Sequence, residues 1–132
     1  MNWFTSLTAG LAYFILGGLW FSPFLFGKIW DRAIGFERPA RWKPAPIYYV
    51  GPLAGCLVAA AATNILVNFV NPTSLQGAVL LGVVIGIGFG ATISGVNSIS
   101  PTSPAPGTFT AVTGGYHFVG LLICALISYA WK

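Results

Sequence analysis

Leu57-Val58-Ala59-Ala60-Ala61-Ala62 and Leu80-Leu81-Gly82-Val83-Val84-Ile85 decide how this chain folds. Each is apolar without interruption, on every face that a strand or a helix would present. A strand of a membrane barrel alternates apolar and polar residues over about 10 positions, and these runs do not alternate. Continuous apolar character over about 20 residues is the pattern of a bilayer-spanning helix. Followed outward, the two runs become segments from Ile47 to Phe69 and from Leu75 to Val96. Two more of the same kind run from Trp3 to Phe21 and from Tyr116 to Trp131, and none of the four contains a charged residue.

Composition supports this reading. Of 132 residues, 56% are hydrophobic and 6% are charged, with a mean hydropathy of +0.81, whereas a soluble domain carries about 25% charged residues. Disorder is excluded on the same grounds, since it requires few apolar residues and high charge. The expectation is an all-α membrane protein: one domain over 1–132, four transmembrane helices, and a short interfacial helix between the first and second. That interfacial helix is read from Phe24, Phe26, Ile29, Trp30, Ala33 and Ile34, which alternate with Lys28, Asp31 and Arg32 at helical spacing. The first apolar run follows Met1-Asn2-Trp3-Phe4, which lacks the basic start of a signal peptide, so a retained span is expected. The polar 97–114 segment, with Pro101, Pro104, Pro106 and Gly107, reads as a linker; its Pro101-Thr102-Ser103-Pro104 match to PxxP is incidental to that reading.

Charge sets an expected orientation. Lys28, Arg32, Arg38, Arg41 and Lys43 lie in one connection beside Asp31 and Glu37, and Lys132 stands at the far end. The positive-inside rule places the 28–43 loop in the cytoplasm of a cell with an inner membrane and puts both termini outside. The same residues are expected to meet the anionic lipid head groups of the bilayer. They are too few, and too confined to one surface, to form a nucleic-acid patch. Trp3, Tyr129 and Trp131 are expected in one interfacial belt, and Trp20, Trp30, Trp42, Tyr48, Tyr49 and Tyr116 in the other. Tyr13 falls near mid-bilayer, where its hydroxyl needs a partner.

Helices in lipid associate through close backbone approach at small residues. Gly82, Gly86 and Gly90 recur at steps of four, followed by Ser94 and Ser98, and Gly51 and Gly55 begin a second stripe. Both stripes are expected to pack helices, within the chain or in a homo-oligomer. Gly86-x-Gly88-x-x-Ala91 matches a dinucleotide fingerprint only superficially, having no preceding strand or downstream acid.

Chemistry is scarce. The two carboxylates lie in the charged connection, so the hydrocarbon is expected to hold no ionisable group of the kind that marks ion pathways. One His and two Cys, distant in sequence, do not make a metal site, and no cofactor is expected. Cys56 and Cys124 read as small buried hydrophobes at similar depth. Ser22, Ser94, Asn97, Ser98 and His117 are expected to converge at the cytoplasmic end as a vestibule, with Tyr13 above it. Thr92-Ile93-Ser94-Gly95 and His117-Phe118-Val119-Gly120 partly resemble motifs of rhomboid intramembrane proteases. Thr92 replaces the expected Gly, and four spans do not supply the six-helix scaffold, so a hydrolase built on Ser94 and His117 is the remote reading. The expectation is a protein without catalytic activity that binds or passes a small neutral or lipophilic molecule. A structural or accessory subunit docking through its glycine stripes is the alternative.

The most distinctive run is Gly17-Gly18-Leu19-Trp20-Phe21-Ser22-Pro23-Phe24-Leu25-Phe26-Gly27-Lys28-Ile29-Trp30. Together with Gly115-Tyr116 and Ile127-Ser128-Tyr129-Ala130-Trp131, it resembles a bacterial family of small four-helix membrane proteins catalogued as a domain of unknown function. The resemblance implies the fold and the membrane, and no activity. Physically, Pro23 disrupts the preceding turn, Ser22 is placed to satisfy a carbonyl freed there, and Trp20 and Trp30 pin the bend.

Overall fold

A computed structural model describes residues 2–132. It is all-helical among those residues, with α1 at Trp3–Trp20, α2 at Gly27–Ala33, α3 at Ile47–Val70, α4 at Leu75–Ser98 and α5 at Pro106–Ala130. Four of these (α1, α3, α4 and α5) are long and apolar enough to cross a membrane. The short α2 is the expected element between the first and second spans. The end carrying α2 is called the basic end below; the end carrying both termini is the terminal end.

Local chemistry explains the boundaries. Asn2 caps α1 by accepting the Phe4 N–H at 3.0 Å, and Ser74 caps α4 by accepting from Gly77 N–H at 3.1 Å, the usual role of these residue types. Asn71 ends α3 in the left-handed conformation at φ 48°, which Asn tolerates because its short side chain bonds locally. Lys132 donates to Asn71 Oδ1 at 2.8 Å and to the Pro72 carbonyl at 2.6 Å, so the C-terminus is tied to the α3–α4 turn. At the basic end Ser22 donates to the Leu19 carbonyl at 2.7 Å, while the chain reverses so tightly that Gly27 N–H reaches the Ser22 carbonyl at 3.0 Å. A Cβ at Gly27 would lie 2.8 Å from that same oxygen, so the turn requires glycine. Arg38 then grips Asp31 through two bonds of 3.2 and 3.1 Å and lies over the Trp42 ring.

Two expected boundaries need correction. The last span begins at Pro106 rather than Tyr116, and α4 continues to Ser98. Most of the segment read as a linker is therefore helix. Pro106 stands at the start of α5, where a missing N–H costs nothing. Gly114 and Gly115 are tolerated within the helix because neighbours approach closely there: Ala91 Cα lies 3.3 Å from where a Gly114 Cβ would be, and Trp20 Cζ2 lies 3.2 Å from a Gly115 Cβ.

α5 is the central helix, packed on α1, α3 and α4, while α1 and α3 also pack on each other. α4 flanks this triangle, resting on α5 and touching α3 lightly. The buried core draws on all four spans, through Ala9 and Tyr13, Cys56 and Ala60, Ile85, and Tyr116, Leu121 and Cys124.

The α1–α5 pair is antiparallel and steps in register. Cys124 donates its thiol hydrogen to the Ala9 carbonyl at 3.6 Å. One turn along, the Tyr13 ring lies against Gly120, and a further turn along Tyr116 lies against Gly17, its hydroxyl oxygen 2.8 Å from where a Cβ would be. Each helix thus carries a tyrosine and, four residues later, the glycine that receives the other helix's tyrosine. Both α4 and α5 contain a wide π-helical turn, over Gly86–Ala91 and Thr110–Gly114, and the two turns lie against each other.

Candidate functional site

The predicted vestibule does not assemble. Ser22 is engaged with Leu19, and Ser94 donates to the Gly90 carbonyl at 2.8 Å. Asn97 is exposed at the basic end. His117, placed by the shorter helix at the mouth of the last span, lies near the middle of a helix running from Pro106 to Ala130. The spans therefore do hold a histidine well within their length, contrary to the expectation that no such group lies in the hydrocarbon. Tyr116, expected in an interfacial belt, is likewise at mid-span and only 6% exposed. The cause of both errors is the same: the Pro- and Gly-rich start of α5 obscured a turn and more of helix.

What forms instead is a cluster at the crossing of α1, α3 and α5. Tyr13 hydroxyl bonds His117 Nδ1. The imidazole tautomer sets the direction of this bond: with the ring proton on Nε2 the tyrosine hydroxyl donates, and with it on Nδ1 the imidazole does. Tyr116 donates its hydroxyl to the Tyr13 carbonyl at 3.3 Å. That commits its single proton, so Cys56 Sγ, 3.3 Å from the same oxygen, acts as donor. The Tyr13 and Tyr116 rings lie 5.1 Å apart, and Phe21 meets Tyr116 edge-on at 5.2 Å. Tyr13 has found the partner it was expected to need, and both thiols are buried and free.

Toward the basic end, the two tryptophans of the distinctive run meet the wide turn of α5. Trp20 Nε1–H donates to the Val112 carbonyl at 2.9 Å, and Trp30 Nε1–H to Thr113 Oγ1 at 3.2 Å. Wide turns of this type are frequent at functional sites. The two stretches most distinctive in the sequence, 17–30 and 115–116, are thereby one structural unit. No periodicity could have revealed these indole contacts, since a tryptophan's partner across helices is set by packing.

At the basic ends of α4 and α5, a bond between Ser98 Oγ and Thr110 Oγ1 of 2.9 Å joins the helices. On one side of this seam lies a polar pocket of about 190 Å³ lined by Ile34, Asn97, Ser100, Thr102, Ser103 and Phe109 among others. On the other lies an apolar groove of about 490 Å³ lined by Thr92, Gly95, Val96, Ile99, Pro106 and Gly107 among others. Ser98 belongs to both, and neither is lined by a charged side chain. Among the described residues no group of three or more His, Cys, Asp or Glu is placed to hold a metal.

Ser94 and His117 make no bond to each other, each being committed elsewhere. The geometry thus contains no Ser–His pair.

Four apolar helices of spanning length, with the central helix buried against the other three, define a multi-pass membrane protein. The chain belongs to the family described as Protein of unknown function (DUF1761), whose model matches residues 5–129. No curated protein and no solved structure matches it.

Proposed function

We propose that this protein is a non-catalytic inner-membrane protein that binds a small neutral or lipophilic molecule at the basic ends of α4 and α5. The observation that carries this reading is the seam at Ser98 and Thr110, flanked by one polar and one apolar depression whose linings are uncharged. Uncharged hydroxyls and an amide recognise neutral hydrogen-bonding groups, and the apolar groove accepts hydrocarbon. Binding is favoured over permeation through one chain because Tyr13 and Tyr116 close the centre of the helix triangle. In this reading the basic end is cytoplasmic, both termini are outside, and Lys28, Arg32, Arg41 and Lys43 face anionic head groups.

Photoaffinity labelling with neutral diazirine-bearing lipophiles in liposomes tests the site. Label is expected within 92–110, and Asn97→Leu or Gly95→Leu is expected to reduce it about five-fold, the effect of losing about 1 kcal/mol. Label spread evenly over the spans, unchanged by both substitutions, refutes the reading. Glu37→Cys and Thr73→Cys test orientation: a membrane-impermeant maleimide is expected to reach position 73 from outside and position 37 only after lysis.

The second reading, a homo-oligomer or accessory subunit, is favoured by one observation. Gly51 and Gly55 lie on an exposed face of α3, and a Cβ on Gly55 would meet nothing within 4 Å. In this reading a second copy or another membrane protein covers that face, and native mass spectrometry from mild detergent would give the stoichiometry.

A further inference from the structure

We propose that a water molecule is held inside the helix triangle near the terminal end, bridging Thr5 of α1 and Ser128 of α5. Both side chains are buried, at 1% and 0% exposure. Thr5 Oγ1 and Ser128 Oγ are also the two buried side-chain oxygens without a hydrogen-bond partner among the described residues. The α1–α5 register brings them to the same level. Ala9 meets Cys124, Tyr13 meets Gly120 and Gly17 meets Tyr116, so one further turn toward the terminal end sets Thr5 opposite Ser128.

The neighbouring polar groups are already engaged. Asn64 Nδ2 donates to Ser6 Oγ at 2.8 Å and to the Asn2 carbonyl at 3.1 Å. Asn64 Oδ1 accepts from Asn68 at 2.8 Å, and Thr63 donates to the Ala59 carbonyl at 2.8 Å. None of these groups bonds either hydroxyl, and in hydrocarbon an unsatisfied group costs several kcal/mol. A buried water typically makes about three hydrogen bonds to such groups. One water between the two hydroxyls donates to one and accepts from the other.

A thermal-denaturation cycle in detergent separates the bridged arrangement from two bare hydroxyls. If water bridges them, Thr5→Val and Ser128→Ala each lower the melting temperature, and the double variant loses less than the sum of the two. If the hydroxyls are bare, removing either raises the melting temperature or leaves it unchanged, and the proposal falls. Additive losses overturn it equally. For the case in which a variant does not fold, a crystal structure of the unmodified protein decides. Density within hydrogen-bond distance of both oxygens supports the bridge, and hydroxyls bonded to each other or to helix carbonyls overturn it.

Discussion

α3 and α4 carry similar glycine spacings and use them in opposite ways. On α4, Gly82 receives Leu122, Gly86 receives Phe118, and Gly90 receives His117 and Leu121, all from α5. On α3, Gly51 would place a Cβ 3.9 Å from Ile47 of its own helix, and Gly55 faces open space. Of the two expected uses of the stripes, within the chain or in a homo-oligomer, Gly82, Gly86 and Gly90 show the first, while Gly51 and Gly55 meet no other helix of the chain. A glycine stripe makes a helix thin; whether the thin face is filled depends on which helix lands there. α5 is the difference. It carries Phe118, Leu121 and Leu122 on the face toward α4, but meets α3 through Cys56 and its neighbours, on another side of α3 from Gly51 and Gly55.

The comparison breaks most severely at the centre. Gly120→Val would drive a side chain into the Tyr13 ring, and a loss of about 3 kcal/mol is expected from such overpacking. It should appear as a collapse of the thermal transition in detergent. Gly86→Ala comes next, with its Cβ 2.8 Å from Phe118 Cδ2 and 2.9 Å from the Phe118 carbonyl oxygen; a loss of about 1–2 kcal/mol is expected, read as a lower melting temperature.

Tyr13→Phe keeps the ring on Gly120 and removes only the bond to His117. Hydrogen bonds between membrane helices average about 0.6 kcal/mol, so the expected loss is small. Cys56 and Cys124, buried in the same core, report it sensitively: their maleimide labelling should speed up about three-fold. Unchanged labelling would mean that the tyrosine ring, and not its hydroxyl, locks α1 to α5. The smallest effect is expected at Gly55→Ala, where nothing is displaced. Better helix propensity should raise stability by up to about 1 kcal/mol. A destabilised or dissociated particle would instead reveal a neighbour on that face.

Much of this fold was readable before any coordinates. Unbroken apolar runs can span lipid only as helices, because every backbone polar group must be satisfied inside the segment. The run from Gly17 to Trp30 was likewise recognisable as a bend carrying two tryptophans, and Ser22 does take the carbonyl left by that bend. The candidate site was less legible. Tyr13 and His117 both stand out in the sequence as candidate site residues, but at different depths, Tyr13 near mid-bilayer and His117 at the cytoplasmic end. Their meeting depends on the start of α5, where Pro106, Gly107, Gly114 and Gly115 carry the signature of a loop and yet fold as a helix, with α4 packed against Gly114 and α1 against Gly115.

By itself, the sequence determined a membrane protein of four helices, its short interfacial element, and the concentration of charge at one end. These follow from local physics: hydropathy, backbone satisfaction and the placement of eight charged side chains. Only the tertiary structure decided that α5 is the centre, that Tyr13 pairs with His117, and that one glycine stripe is filled while the other is open. Those outcomes depend on how side chains as far apart in the sequence as Phe4 and Trp131 interlock, and no local property of the chain encodes which helix faces which.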